Sequence, residues 1–329
     1  MARVSPSPTA SASAAPRWTP WRPVAPDLRL TPTVLTELLD GGQSFRWWPQ
    51  LRQDSLNTTE FWWGQWKENV TALRLGGDGR LEWSAPATVA GQVEPRLPEY
   101  LGLTSTHDDA VDGLPWRSDS HLAACLTAFP GLRILRQPFD ETLLGFLCSA
   151  TKQIVQIKQM LALLARRFGR QMLPPSETPG PTHRGAIGWR LPTWGELANV
   201  AESSLRECLL GFRARYIHQT AQFLTENPGW LEETASAPYA VAKERLCGLP
   251  GVGEKVADCV LLFGAGRLEA FPVDVWILKA MARRYGLERW PTPHVAQFGR
   301  VHFGRAAGLA QQYLFAYERA AARESRGSA

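Results

Sequence analysis

The spacing of apolar positions along the 329-residue chain changes character near residue 98. Ahead of it, residues 44–48, 60–66, 70–75 and 81–84 are short aromatic or β-branched runs divided by Gly, Asn and Asp, the pattern of an antiparallel sheet. Residues 34–39 read as a helix that stops at Gly41-Gly42, where positive φ is open to the chain. Beyond Pro98, Ile154, Ile157, Leu161, Leu164 and Phe168 recur at a helical period, and Asp140 is placed to N-cap an apolar stretch through Cys148. Further helices are predicted over 196–210, 215–225, 239–246, 254–263, 275–285 and 308–322, with a Pro/Gly-rich loop at 174–192. No internal repeat is visible. The expected fold class is α+β: a small N-terminal antiparallel sheet domain, residues 27–97, packed on a larger all-α domain, residues 98–322. Residues 323–329 read as a tail.

Composition narrows the class. Residues 1–26 hold six prolines and three arginines with no acid, which reads as a disordered tail; a transit peptide has similar chemistry, but the segment lacks an amphipathic apolar repeat. With 44% apolar and 20% charged residues, the rest is no disordered polyelectrolyte. The apolar runs 143–150 and 259–266 fall far short of the ~18 residues that span a bilayer, so no membrane association is expected. A formal charge of +5 permits an anionic partner without requiring one. The five cysteines stand singly, without a C-x-x-C pair, which argues against a disulfide framework, a zinc ribbon or a four-cysteine iron–sulfur cluster and suits a reducing compartment. Fourteen tryptophans are unusual, and Trp47, Trp48, Trp62, Trp63, Trp66 and Trp83 crowd into the sheet region.

The densest chemical signal runs from Leu249 to Cys259, sequence LPGVGEKVADC. A helix ends at Cys247-Gly248, Gly251 and Gly253 flank Val252 in a tight hairpin, and a second helix begins at once. Free N–H groups and the positive end of that helix's dipole can hold a phosphate there without reading sequence. A bare G-x-G is also compatible with an ordinary helical hairpin packed closely through its glycines. Lys255 stands in the first turn of the second helix, where dipole and partial burial both disfavour the ammonium form, and a neutral amine is a nucleophile. Cys259, four residues on, shares its face. Asp274, in Phe-Pro-Val-Asp-Val, sits where the next helix starts, a place where Asp is also a common N-cap. Taken singly, such a lysine is often a solvated surface group.

The hairpin, lysine, cysteine and Pro-Val-Asp-Val run together resemble the helix-hairpin-helix DNA glycosylases, and within them the 8-oxoguanine DNA glycosylase/lyase family. Gly42-Gln43-Ser44-Phe45-Arg46-Trp47 resembles that family's N-terminal signature, Leu210 to Tyr216 its wedge segment, and Ala310-Gln311 through Leu314-Phe315 its C-terminal base-binding helix. The likeness covers about 27–322 in the same order.

This resemblance implies base excision repair on double-stranded DNA containing an oxidised purine, by a monomer acting in the cytoplasm or nucleoid, or in a nucleus or organelle. It implies base flipping, because the target atom is unreachable inside a duplex. Lys255 would attack the sugar C1′ and form a Schiff base, and Asp274 would stabilise developing positive charge. Gly42 would offer its carbonyl to the N7–H that distinguishes 8-oxoguanine from guanine, Gln311 would bond the base's Watson–Crick edge, and Cys259 and Phe315 would sandwich its faces. Gly251, Val252 and Gly253 would hold backbone phosphate; Phe212, in place of the usual tyrosine, would wedge into the stack, and Arg213 would read the opposite cytosine. Thr151 stands where the family has an asparagine that fills the vacated stack, and Gln156 where it has a second cytosine-reading arginine, so relaxed opposite-base specificity is expected. Trp276 replaces a histidine near a DNA phosphate. No organic cofactor and no catalytic metal are implied. Another damaged base as substrate, or a non-catalytic DNA-binding module, are the alternative readings.

Overall fold

The structure, a computed structural model, describes residues 18–53, 58–174 and 186–327. Five antiparallel strands form one sheet: β1 (Arg22–Pro23), β2 (Trp47–Gln53), β3 (Thr58–Trp66), β4 (Asn69–Leu75) and β5 (Leu81–Ser84), in the order β1-β5-β4-β3-β2. The helix α1 (Pro32–Asp40) precedes β2; Thr31 caps it by accepting from Val34 N–H at 3.2 Å. The remaining helices form the larger layer: α2 (Ala90–Tyr100), α3 (His107–Asp112), α4 (Ser120–Ala128), α5 (Phe139–Leu147), α6 (Ile154–Phe168), α7 (Trp194–Ala198), α8 (Glu202–Leu205), α9 (Arg213–Glu226), α10 (Trp230–Ser236), α11 (Tyr239–Cys247), α12 (Glu254–Ala265), α13 (Val275–Tyr285), α14 (Thr292–Phe303) and α15 (Ala307–Gly327). This is the α+β architecture expected. Among the described residues, no helix is long and apolar enough to cross a membrane.

Strand alternation explains the crowded tryptophans. Trp47, Trp62, Trp66 and Trp83 enter the main core, where Trp66 stacks on Tyr100 at 4.3 Å. Trp63 points to the other face and builds a smaller cluster with Val70, Ala72, Leu173 and Ile187, joined by Trp18, Trp21, Trp48 and Phe61. Both faces of the sheet are therefore covered.

Several boundaries differ from expectation, for physical reasons. Of the expected tail, residues 1–17 lie outside the described residues, but 18–26 pack on the sheet. Trp18 meets the Trp63 ring edge-on at 4.2 Å, Thr19 N–H donates to Ala85 C=O at 2.8 Å, and β1 forms the edge beside β5. Two partly buried aromatic anchors outweigh a proline-rich composition, and an edge position tolerates Pro23. The expected border at residue 98 falls inside α2, whose Val93, Leu97 and Tyr100 form one buried stripe. Asp140 is not a cap: Pro138 holds that position and Asp140 lies in the first turn of α5, paired with Lys67. The helix expected over 196–210 breaks into α7, α8 and a π-turn at Arg206–Leu210, because Leu209 takes φ +62°. The helices α2, α3, α4, α10 and α14 were unforeseen, and α15 runs past residue 322. Of the loop expected at 174–192, residues 175–185 lie outside the described residues. Its returning arm pairs with 170–173, and Gly188 N–H donates to Gln65 Oε1 at 2.8 Å.

Candidate active site

The Gly42–Trp47 run joins the two layers. The Gln43 side chain is buried; its amide donates to Arg133 C=O at 3.0 Å and accepts from Leu135 N–H at 2.9 Å, while its own C=O accepts from Gln137 at 2.6 Å. Ser44 and Trp47 both bond the Tyr100 hydroxyl, at 3.3 and 2.9 Å. Burial lowers the Arg46 guanidinium to about 10, and it donates to Trp189 C=O at 2.5 Å. With these side chains plugged inward, the chain turns at Gly42, φ +107°, and β2 begins only at Trp47. A Cβ on Gly42 would meet Ile154 Cδ1 at 3.3 Å.

That turn forms one wall of a cavity of about 1180 Å³, above the range typical of small-molecule sites. Lys255 and Asp274 line it with Gly42, Phe45, Phe146, Thr151, Trp276 and Phe315. Lys255 is half-buried; its Nζ lies 5.4 Å from the centre of the Phe146 ring and its side chain bonds Cys259. Burial raises the Cys259 thiol to about 11 against the pull of Lys255, so it stays a neutral thiol. Asp274 caps α13: its Oδ1 accepts from Trp276 and Ile277 N–H, each at 2.9 Å. Burial raises its carboxyl, opposed by those N–H groups and by Lys255.

Not every expected site residue lies in this wall. Cys259 and Gln311 are both buried and absent from the lining, and Gln311 Oε1 accepts from Gln312 at 2.8 Å. Gln156 is the N3 residue of a capping box on α6, its Oε1 accepting from Gln153 N–H at 3.1 Å. Arg213 is 2% exposed and turned inward, donating to Leu210 C=O at 3.2 Å, to Ala150 C=O, and to Thr151 Oγ1 at 3.1 Å. Thr151 has φ +55°, the left-handed region that asparagine tolerates and a β-branched residue resists. Phe212 is exposed, 5.9 Å from the Tyr216 ring. In the hairpin, Gly251 has φ +77° and Val252 is buried; a Cβ on Gly251 would lie 2.3 Å from Tyr216 Cδ2. Trp276 is half-buried in the cavity wall.

Two ion pairs that the sequence did not announce grip the glycine turn. On one side, Lys158 of α6, 4% exposed, pairs with Asp40 at 2.7 Å and lies 4.5 Å from the centre of the Trp48 ring. On the other, Arg319 of α15 donates to buried Glu37 at 2.9 Å and to Gly41 C=O at 2.6 Å, its guanidinium 5.1 Å from the Phe315 ring. The Glu37 carboxylate curls back over Gly41, where a Cβ would come within 2.4 Å of its oxygen. The sequence signals were faint: an acid just before the glycine pair, and an arginine one helical turn after Phe315.

Known proteins resemble this chain in sequence and fold. Residues 144–300 match the family described as HhH-GPD superfamily base excision DNA repair protein. The N-glycosylase/DNA lyase of Saccharomyces cerevisiae is 32% identical over 265 residues, covering 76% of this chain and 68% of the relative. A probable N-glycosylase/DNA lyase of Methanothermobacter thermautotrophicus is 30% identical, covering 64% of this chain and 71% of the relative. The solved Clostridium acetobutylicum 8-oxoguanine glycosylase/lyase, in complex with duplex DNA containing cytosine opposite 8-oxoguanine, superposes with a TM-score of 0.75 at 30% identity, covering 88% of this chain and 92% of that one. A helix-hairpin-helix hairpin, a lysine and an aspartate on one cavity and relatives of this kind over most of their lengths have one meaning: the chain belongs to the N-glycosylase/DNA lyase family of base excision repair glycosylases.

Proposed function

We propose that this glycosylase/lyase removes 8-oxoguanine from double-stranded DNA, with Lys255 as nucleophile and Asp274 as its electrostatic partner. The observation that carries this reading is the convergence of Lys255, Asp274, Gly42 and Phe315, from distant parts of the chain, on one cavity. In this scheme the Lys255 amine donates its electron pair to C1′ of an extruded nucleotide. As the Nζ–C1′ bond forms, the C1′–N9 bond breaks and its electron pair departs with the base, which takes up the proton the amine sheds. Opening of the sugar ring gives a Schiff base; loss of a C2′ proton then breaks the C3′–O bond and nicks the strand. The Asp274 carboxylate, fixed by two backbone N–H groups, faces the positive charge that grows on the sugar, where a preorganised anion is most effective. Gly42 C=O accepts from N7–H of the lesion, and Phe315 covers one face of the base. Cys259 and Gln311 join after the cavity wall adjusts to the base, and the hairpin at 251–253 holds backbone phosphate.

Borohydride trapping on an 8-oxoguanine duplex tests the reading. A covalent adduct is expected from the native chain and none from Lys255→Gln; an adduct that survives this substitution, or forms only with other lesions, refutes it. Because Thr151 and Gln156 replace two polar readers, and one such contact discriminates by about 1–3 kcal/mol, excision opposite C, T, G and A is expected to fall within roughly tenfold. Strict dependence on cytosine would overturn that part.

A further inference from the structure

Leu209 breaks two rules of folding at once. Its φ of +62° lies in the left-handed region that glycine enters freely and a residue with a Cβ enters at a cost, and the residue is 53% exposed. Such a conformation persists where the surroundings over-determine it, and functional sites are where it concentrates. The surroundings here are explicit. Cys208 and Leu210, on either side, are fully buried and pull the chain inward, so Leu209 is forced outward between them. Just beyond, Arg213 bolts the turn to Leu210, Ala150 and Thr151, and the last two line the cavity that holds Lys255. Phe212, three positions from Leu209, is 52% exposed and meets Tyr216, the ring on which hairpin residue Gly251 packs. Turn, hairpin and cavity rim are thus one continuous surface, on which Leu209 and Phe212 present exposed apolar side chains three positions apart.

We propose that Leu209 is a second wedge, entering the base stack of duplex DNA beside Phe212 and propping open the gap left by the extruded nucleotide. Apolar side chains inserted between base steps do this elsewhere, and unstacking is the energetic obstacle to extrusion. A duplex fits better than a protein partner because the surface is continuous with the cavity that would receive the nucleotide. The inference rests on the proposed function and adds a residue to it.

The test uses the full chain and a duplex carrying one tetrahydrofuran abasic analogue opposite cytosine, with 2-aminopurine as its neighbour. Leu209→Gly relieves the backbone and removes the side chain, so its melting temperature is expected to equal or exceed the native value. Its Kd is expected to rise about tenfold, the size set by withdrawing one leucine side chain from an apolar environment, and its 2-aminopurine signal to drop. Leu209→Met, which keeps an apolar side chain of similar reach, is expected to bind within about threefold of the native chain. Binding of the Gly variant within about twofold of native, with unchanged fluorescence, overturns the proposal, as does equal weakening by Met and Gly. A native chain that fails to prefer the abasic duplex over an undamaged one would overturn the proposed function itself.

Discussion

Replacing Arg319 by methionine isolates what holds the glycine turn. The substitution keeps an apolar stem over Phe315 but removes the guanidinium from Glu37 and from Gly41 C=O. Both partners of the ion pair are enclosed, with side-chain exposures of 11% and 7%. Removing one partner of a buried pair leaves an uncompensated charge and costs about 3–5 kcal/mol. Burial already raises the Glu37 carboxyl above its ordinary value, opposed chiefly by Arg319 and Arg323. The folded chain therefore holds a proton on Glu37 over a range above pH 4.5 in which the unfolded chain has released it, and stability falls as pH climbs through that range. Without Arg319 the range extends upward, so the deficit of the variant grows with pH. At pH 4, where Glu37 is largely protonated in both states, the losses are the hydrogen bonds to Glu37 and Gly41 and the cation–π attraction to Phe315, about 1–2 kcal/mol. Urea denaturation followed by circular dichroism at pH 4 and pH 8 measures both deficits. Adding Glu37→Gln should restore at least about 2 kcal/mol at pH 8, a coupling large enough for a double-mutant cycle. A deficit equal at both pH values, or below about 1 kcal/mol at pH 8, would refute the assignment.

Three further outcomes are expected. Asp274→Asn keeps a capping oxygen for the Trp276 and Ile277 N–H groups, so stability should change by less than about 0.5 kcal/mol while single-turnover excision slows by roughly 100-fold or more; matched losses would make the residue only a cap. Burial, assisted by Asp140, raises Glu141 to about 7 against Lys67 and Arg46, so it should withdraw stability as pH rises from about 4.5 to about 7; subtracting the Glu141→Gln stability curve from the native one shows this slope, and a flat difference contradicts it. Thr151→Asn relieves the left-handed backbone and keeps an oxygen for Arg213, which should stabilise the chain by about 0.5–1 kcal/mol in thermal melts, and a lower melting temperature would show that the threonine side chain packs favourably.

What was legible in the sequence was what the backbone dictates locally. The Gly42 turn, the Gly251–Gly253 hairpin and the Asp274 helix start each follow from conformational rules that act over a few residues, and Lys255 is placed by the helix that the hairpin launches. Contacts across long separations were not legible. Nothing near residue 213 announces that its guanidinium folds back onto Ala150 and Thr151, and the Glu37–Arg319 pair joins positions 282 residues apart. The cap that Gln156 forms with Gln153 was also not legible, although it joins residues only three positions apart, because Gln is an uncommon capping residue. Residues 18–26 were taken for tail because composition averages over the segment, whereas Trp18 and Trp21 act as single anchors.

The cavity is assembled from unequal inheritance. Residues 144–300, the stretch matched by the wider superfamily, contain Lys255 and Asp274 but neither Gly42 nor Phe315, which arrive on α1's trailing turn and on α15. Lys255 and Asp274 thus lie within the stretch common to the superfamily, while Gly42 and Phe315, which we propose contact the base, lie on flanks tied to it and to each other by Lys158 and Arg319. On the proposed reading, exchanging those flanks would reshape the base-facing part of the cavity while leaving Lys255 and Asp274 in place.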